Sequence, residues 1–258
     1  MSRPKTPFTA VVLAGDRSSG DPVAEAAGVS CKALTPVGGR PMVLRVLDAL
    51  EAAQGIGPVI LCGPHRSAID KEVELRARID SARVQWVASK ATPSSSAFQV
   101  LKSLPDDIPV LVTTADHALL SGRMLAVGLA SYQSVKAAYP NTRRTAIHLR
   151  DDAYCSCNLF AFLTPHSRDV AHFWRRVESQ RKKTLRVISA FGWLAVLSYL
   201  LRRPSLEEGL GRISKRLGLR AGAVVMPFPE AAVDVDTVSD WKLVESILAN
   251  RTTSPDIS

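Results

Sequence analysis

The sequence predicts an α/β protein in which a mostly parallel, mixed sheet lies between two layers of helices. Two observations predict it. Short apolar, β-branched runs alternate with segments of helical periodicity almost from end to end, the pattern of successive strand–helix–strand units. The runs at residues 8–14 and 109–114 are nearly continuous in apolar character, as expected of strands covered on both faces. In such sheets ligands gather at the carboxyl ends of the strands. That places Gly15, residues 92–96 and Asp116 near one rim, although they lie far apart in the sequence.

Each element has its own warrant. Residues 8–14 form a strand ending at glycine. Residues 41–53 form a helix with Met42, Val46, Leu47 and Leu50 on one face and Pro41 in the first turn. Residues 58–62 form a strand, 67–79 a charged helix and 83–87 a strand. Serines open a helix at 94–104; 109–114 is a buried strand and 121–130 a helix. Residues 145–149 and 159–163 read as strands. Thr164-Pro165 supplies cap and first turn of a helix to about residue 180. Residues 184–201 form a very apolar helix. Ser205-Leu206-Glu207-Glu208 has capping-box spacing and opens a basic helix to residue 217. A strand at 223–226 and a helix at 240–249 come last. The expectation is one domain over 8–250, with a helical, basic and apolar insertion at 165–220 and loose ends at 1–7 and 251–258.

Composition narrows the class. With 258 residues, 46% hydrophobic and 22% charged, wholesale disorder is excluded and one large domain fits. The net charge of +9 sits in one segment: from Arg168 to Arg220 there are 13 basic and 4 acidic residues. These are not interleaved with aromatics in a recognisable module, which argues against nucleic acid. Cys31, Cys62, Cys155 and Cys157 are too few for a disulfide scaffold and read as buried thiols. The run at 8–14 is too short for a secretory signal. The longest charge-free run, 187–201, is shorter than the roughly 20 residues a spanning helix needs. The expected location is cytoplasmic.

Several motifs are absent. Gly15 and Gly20 have Walker-loop spacing, but Asp21-Pro22 follows where Lys-Ser/Thr belongs; neither GxGxxG nor GxSxG occurs. Four pieces are present in order. Val11-Val12-Leu13-Ala14-Gly15 is a strand running into a loop. Cys31-Lys32-Ala33-Leu34-Thr35-Pro36-Val37-Gly38-Gly39-Arg40-Pro41-Met42 sets a lysine before a glycine turn and a helix. Thr113-Thr114-Ala115-Asp116-His117 puts a carboxylate at the end of a buried strand. Val233-Asp234-Val235-Asp236-Thr237-Val238-Ser239-Asp240 puts acids before the last helix.

Together these pieces resemble the MobA-like nucleotidyltransferase family, with its Rossmann-like, glycosyltransferase-A-like (GT-A-like) fold. The match runs over about residues 8–249. The resemblance implies a Mg2+-dependent (or Mn2+-dependent) enzyme that transfers a nucleoside monophosphate from an NTP, CTP or GTP, to a phosphorylated small molecule and releases pyrophosphate. The acceptor is a sugar, polyol or cofactor-precursor phosphate. Lys32 and Asp116 are then catalytic. Leu13, Ala14, Gly15, Arg17, Thr92, Ser94, Ser95 and Ser96 join them in binding the nucleotide. Asp116 and Asp236 hold the metal; Asp234 competes for the same role, because side chains two apart on a strand share a face. Asn158, Arg143 and Arg150 line the acceptor side. Such roles suit the physics, since an anionic acceptor attacking an α-phosphate crowds negative charges that the protein must neutralise and align.

Plainer readings stand beside these. Short hydroxyls at 92–96 also serve as helix caps, and Asp240 reads as an N-terminal acid complementing a helix dipole. Within the family pattern, Asp16 stands where a second glycine is common, and Arg17 is the substitute for a missing arginine. The basic apolar segment 181–203 has three readings: contact with an anionic membrane surface, a buried helix, or a homodimer interface. Two rival functions remain. One is a glycosyltransferase of the same fold, whose usual Asp-x-Asp motif midway through the sequence is not supplied by Asp116-His117-Ala118. The other is a non-catalytic nucleotide-binding scaffold.

Overall fold

The computed structural model describes residues 6–16, 20–124, 128–180 and 204–253. Arg17 and the segment 181–203, with its expected apolar helix, lie outside the described residues.

The elements follow in order as β1 (Phe8–Leu13), α1 (Pro22–Ala27), β2 (Pro36–Val37), β3 (Arg40–Pro41), α2 (Met42–Glu51), β4 (Ile56–Cys62), α3 (Arg66–Ile69), α4 (Val73–Asp80), β5 (Val84–Val87), α5 (Pro93–Ser103), β6 (Val110–Thr114), β7 (Gly128–Ser131), α6 (Tyr132–Ala138), β8 (Ile147–His148), β9 (Ala153–Ser156), β10 (Phe160–Phe162), α7 (Asp169–Gln180), α8 (Leu206–Leu217), β11 (Val224–Met226) and α9 (Val238–Thr253). The main sheet has the order β10-β6-β1-β4-β5. Strands β6, β1, β4 and β5 are parallel, and β10 runs antiparallel at the edge. A smaller mixed sheet has the order β11-β7-β9-β8.

The period of two along β1 builds the three layers. Ala10 and Val12 face one core with Val43, Val46, Leu47 and Leu50 of α2. Val11 and Leu13 face the other core with Ala97, Val100 and Leu101 of α5 and Ala171 of α7. Truncating one of these fully buried leucines to alanine costs about 2–5 kcal/mol. A third, smaller core joins Val23, Val37, Met42, Ala118, Leu119, Val233, Val235, Val244 and Ile247. It fastens together the segments that follow β1, β2 and β6 and precede α9.

Three sequence expectations are corrected, and one helix is added. Residues 121–130 are not a helix: a single 3-10 turn at Gly122–Met124 gives way to strand β7. There Gly128 and Ala130 are buried between β9 and β11, so sheet pairing overrides helical propensity. The single helix expected at 67–79 is two, α3 and α4. Ile69 and Leu75 are both fully buried. Six residues apart, they would point about 120° apart on one continuous helix, and the break turns both inward. The stretch between Gly15 and Lys32 holds a helix: Asp21 Oδ1 caps the amides of Val23 (2.9 Å) and Ala24 (3.2 Å), and Gly28 ends it in left-handed geometry. Helix α9 continues to Thr253, past the expected end of the ordered region. Among the described residues no helix is long and apolar enough to cross a membrane.

Candidate active site

Adjacent parallel strands β1 and β6 end in register, Leu13 beside Thr114. The Ala115 amide then bonds to the Leu13 carbonyl at 2.9 Å. The loops carrying Gly15 and Asp116 therefore leave the sheet at one rim. Gly15 is needed there for space, because a Cβ would sit 2.5 Å from Ser89 Cβ in the loop before α5. No sequence signal points to Ser89.

Lys32 opens a 3-10 turn, Lys32–Leu34, whose other side chains are anchored inward: Ala33 and Leu34 are buried, as is the preceding Cys31. The lysine is the residue left to project. Its backbone amide donates to Asp16 Oδ1 at 3.2 Å. Its ammonium donates to Asp116 Oδ2 at 2.8 Å and to Asp236 Oδ1 at 2.9 Å. Three segments far apart in sequence meet at this one nitrogen. The Val235 amide bonds to the Asp116 carbonyl at 3.1 Å, and Trp241 Nε1 bonds to the Pro36 carbonyl at 2.8 Å. The first fixes the stretch before α9 to the loop after β6, and the second fixes the first turn of α9 to β2.

Electrostatics follow from this geometry. Burial alone would discourage the Lys32 ammonium, but Asp116 and Asp236 outweigh it and raise its pKa. Burial opposes the Asp116 carboxylate as well, and Lys32 still holds its pKa below the usual value. Asp16 is raised by burial. Asp234 is raised to about 6, first by burial and then by Asp236 and Asp116. The buried His117 imidazole is pushed down to about 4, chiefly by burial.

Val233 and Val235 are fully buried, so Asp234 and Asp236 project together on the opposite side. Asp236 meets Lys32. Asp234 instead takes an ion pair from Arg144 and a 2.8 Å hydrogen bond from Asn158 Nδ2. Asp240 lies in a capping arrangement: its Oδ2 accepts from the Thr237 amide at 2.9 Å, and its own amide donates to Thr237 Oγ1 at 3.2 Å.

The other expected site residues are distributed as follows. Leu13 and Ala14 are buried at the end of β1. Thr92 caps α5, accepting from the Ser95 amide at 3.2 Å. Ser94 and Ser96 are buried, and Ser96 Oγ accepts from the Lys90 amide at 2.8 Å. Arg143 is exposed. Arg150 is exposed too and faces Glu208 at 2.7 Å, so it does not join the cluster. The arginine that turns inward is Arg144, which the sequence pattern does not distinguish from its neighbour.

The donor set fits a hard cation. Two carboxylates from different segments already converge on one positive group, and Asp116 Oδ1 is buried without a hydrogen-bond partner among the described residues. Among those residues no group of three or more His, Cys, Asp or Glu side chains forms a metal cage. Two carboxylates suit Mg2+, which keeps waters and takes further oxygen ligands from phosphates.

No curated protein matches the sequence. Among solved structures it is similar to a hypothetical transferase from Thermus thermophilus, with 30% identity, TM-score 0.73, and coverage of 92% of this chain and 100% of that one. It is also similar to 4-diphosphocytidyl-2C-methyl-D-erythritol synthase from Anaerococcus prevotii, with 14% identity, TM-score 0.53, and coverage of 95% and 96%. A third is CTP:phosphocholine cytidylyltransferase from Streptococcus pneumoniae, with 12% identity, TM-score 0.53, and coverage of 94% and 99%. The last two likenesses concern the fold, the GT-A-like arrangement of nucleotidyltransferases. The sequence itself matches the MobA-like NTP transferase domain over residues 10–208, most of its length, and the protein belongs to that nucleotidyltransferase family.

Proposed function

We propose that the protein transfers a nucleoside monophosphate from an NTP to a phosphorylated small molecule, releasing pyrophosphate. One observation supports this above the rest: a single ammonium, Lys32, bridges Asp116 and Asp236 at the mouth of the parallel sheet. An acceptor phosphate oxygen attacks the α-phosphorus, a new P–O bond forms, and the bond to the β-phosphate oxygen breaks as pyrophosphate leaves. The acceptor is already ionised, so no residue has to remove a proton. Lys32 supplies a fixed positive charge for the oxygens of the α-phosphate. The rim around Gly15 would bring backbone close to the nucleotide, and the family pattern assigns residues 92–96 to its base and ribose. Asp116 and Asp236 would hold Mg2+, which supplies charge neutralisation and orientation of phosphate oxygens when bound.

CTP is the nucleotide to test first, because the names of two of the solved relatives carry the cytidyl group; GTP is the alternative. The acceptor class is a sugar, polyol or cofactor-precursor phosphate. Pyrophosphate release across the four NTPs and a panel of such phosphates tests the reading. Turnover that needs Mg2+ and disappears in Lys32→Ala and Asp116→Ala supports it. A second reading, nucleotide binding without catalysis, is motivated by Asp16, an acid beside the Lys32 amide where the family has glycine. It gains if nucleotide binds and no acceptor turns over.

A further inference from the structure

We propose, on top of that reading of the site, that Arg144 is a positioning residue that makes Asp236, rather than Asp234, the carboxylate presented to the phosphates. Asp234 and Asp236 sit two residues apart on the same side of an extended stretch whose valines are buried, so local geometry treats them alike. Their partners separate them. Asp234 is consumed on both oxygens: Oδ1 pairs with Arg144 Nη1, and Oδ2 accepts from Asn158 at 2.8 Å. The Asp236 carboxylate meets the Lys32 ammonium, and its side chain is 59% exposed.

Arg144 does more than neutralise Asp234. Its Nη2 donates to the Asp234 carbonyl at 3.0 Å and to Asp240 Oδ1 at 2.7 Å, while its Nε reaches Thr142 Oγ1 at 3.2 Å. The guanidinium, only 7% exposed, thus grips the backbone stretch on both sides of Asp236, at residues 234 and 240. Asp240 in turn fixes Thr237, the residue after Asp236, through the Thr237 amide at 2.9 Å and Oγ1 at 2.7 Å. A planar fork can span a carboxylate, a carbonyl and a second carboxylate at once; an ammonium on a flexible stem cannot. Without it Asp234 loses its cation and competes with Asp236 for any positive group nearby, and the stretch that aims Asp236 loses two of its anchors.

The test uses the full-length protein with Arg144→Ala and Arg144→Lys, and Mn2+ as a paramagnetic probe. Binding of Mn2+ is followed by electron paramagnetic resonance with each of the four NTPs, and binding of the same NTP is followed separately in EDTA. Both variants are expected to bind metal-free nucleotide within about threefold of wild type and Mn2+ at least about tenfold more weakly, as positioning groups behind metal ligands do. Millimolar guanidinium should restore Mn2+ affinity to Arg144→Ala and leave Lys32→Ala unchanged. If Arg144→Ala does not fold, Arg144→Lys carries the same expectation. Unchanged Mn2+ affinity overturns the proposal, as does an equal loss of metal-free nucleotide binding. A wild-type protein that binds no Mn2+ with any NTP overturns the underlying reading of the site, and is recognised without any variant.

Discussion

Two networks of charged side chains stand out among the described residues, and they are built on different rules. One lies between α2 and α4. There Arg40 pairs with Asp48 (2.7 Å) and Glu74 (2.6 Å), Arg78 with Asp48 (2.6 Å), Glu74 (2.7 Å) and Glu51 (3.5 Å), and Arg83 with Glu51 (3.3 Å). Three arginines meet three acids. The other lies at the rim of the sheet, where Lys32 and Arg144 face Asp16, Asp116, Asp234, Asp236 and Asp240. Among the described residues, two cations meet five acids. A balanced network satisfies itself and holds two helices together. An acid-rich one keeps a negative field that a bound cation would neutralise, and its cost shows at Asp234, whose pKa is raised first by burial and then by Asp236 and Asp116. Excess charge of one sign, more than the number of ion pairs, separates the candidate site from the scaffold.

The comparison breaks most visibly under mutation. Lys32→Ala should reduce pyrophosphate release by about 10³-fold, the scale of losing a group that stabilises transition-state charge, in protein that still folds. Arg78→Ala should do the reverse. Its side chain is only 9% exposed, but its partners are half in water, so the loss should be about 1–3 kcal/mol of stability, with turnover of the remaining folded protein unchanged. Comparable effects of both variants on both readouts would erase the distinction. Gly15→Ala sharpens it at the rim: its Cβ would press on Ser89 at a cost of about 1–3 kcal/mol. Adding Ser89→Gly should recover nucleotide affinity, measured by thermal shift with and without nucleotide.

Much of this is legible in the sequence, for physical reasons. The parallel strands announce themselves as apolar runs, and the residues after them fall at one rim by topology alone. Lys32, Asp116 and Asp236 are picked out by their match to the family pattern, and the fold adds buried neighbours beside each of them: Ala33 and Leu34, Ala115, and Val235. The helix α1 is also written locally, as Asp21-Pro22 followed by Gly28, a cap, a first turn and a terminator; the phosphate-loop spacing of Gly15 and Gly20 masks it. Other features are not local. Nothing in the run Thr142-Arg143-Arg144 says which arginine turns inward, because its partners lie 90 and 96 positions away. Likewise β7 exists only through β9 and β11, so its own period resembles a helix.

The finest contrast between the networks is in pH. Burial pushes Asp48 up, but Arg40 and Arg78 together hold it below 3.8; Arg40, with Arg78, holds Glu74 below 4.5. Carboxyls depressed by folding contribute stability above their unfolded values and lose it as pH falls through their folded ones. The stability difference between wild type and Arg78→Ala should therefore be level above about pH 5 and shrink in more acidic solution. Asp234 has the opposite sign. Its pKa rises from 3.8 to about 6 on folding, so the folded state holds its proton more tightly. Its contribution is fully present below 3.8 and lost as pH rises toward 6. Asp234→Asn removes that titration, so its stability relative to wild type should climb across the same window. Thermal melts at half-unit pH steps would show the two differences sloping apart: one network gains from its charges, and the other bears them. Parallel slopes would mean that the rim acids are as fully compensated as the scaffold ones, and the charge excess would no longer mark the site.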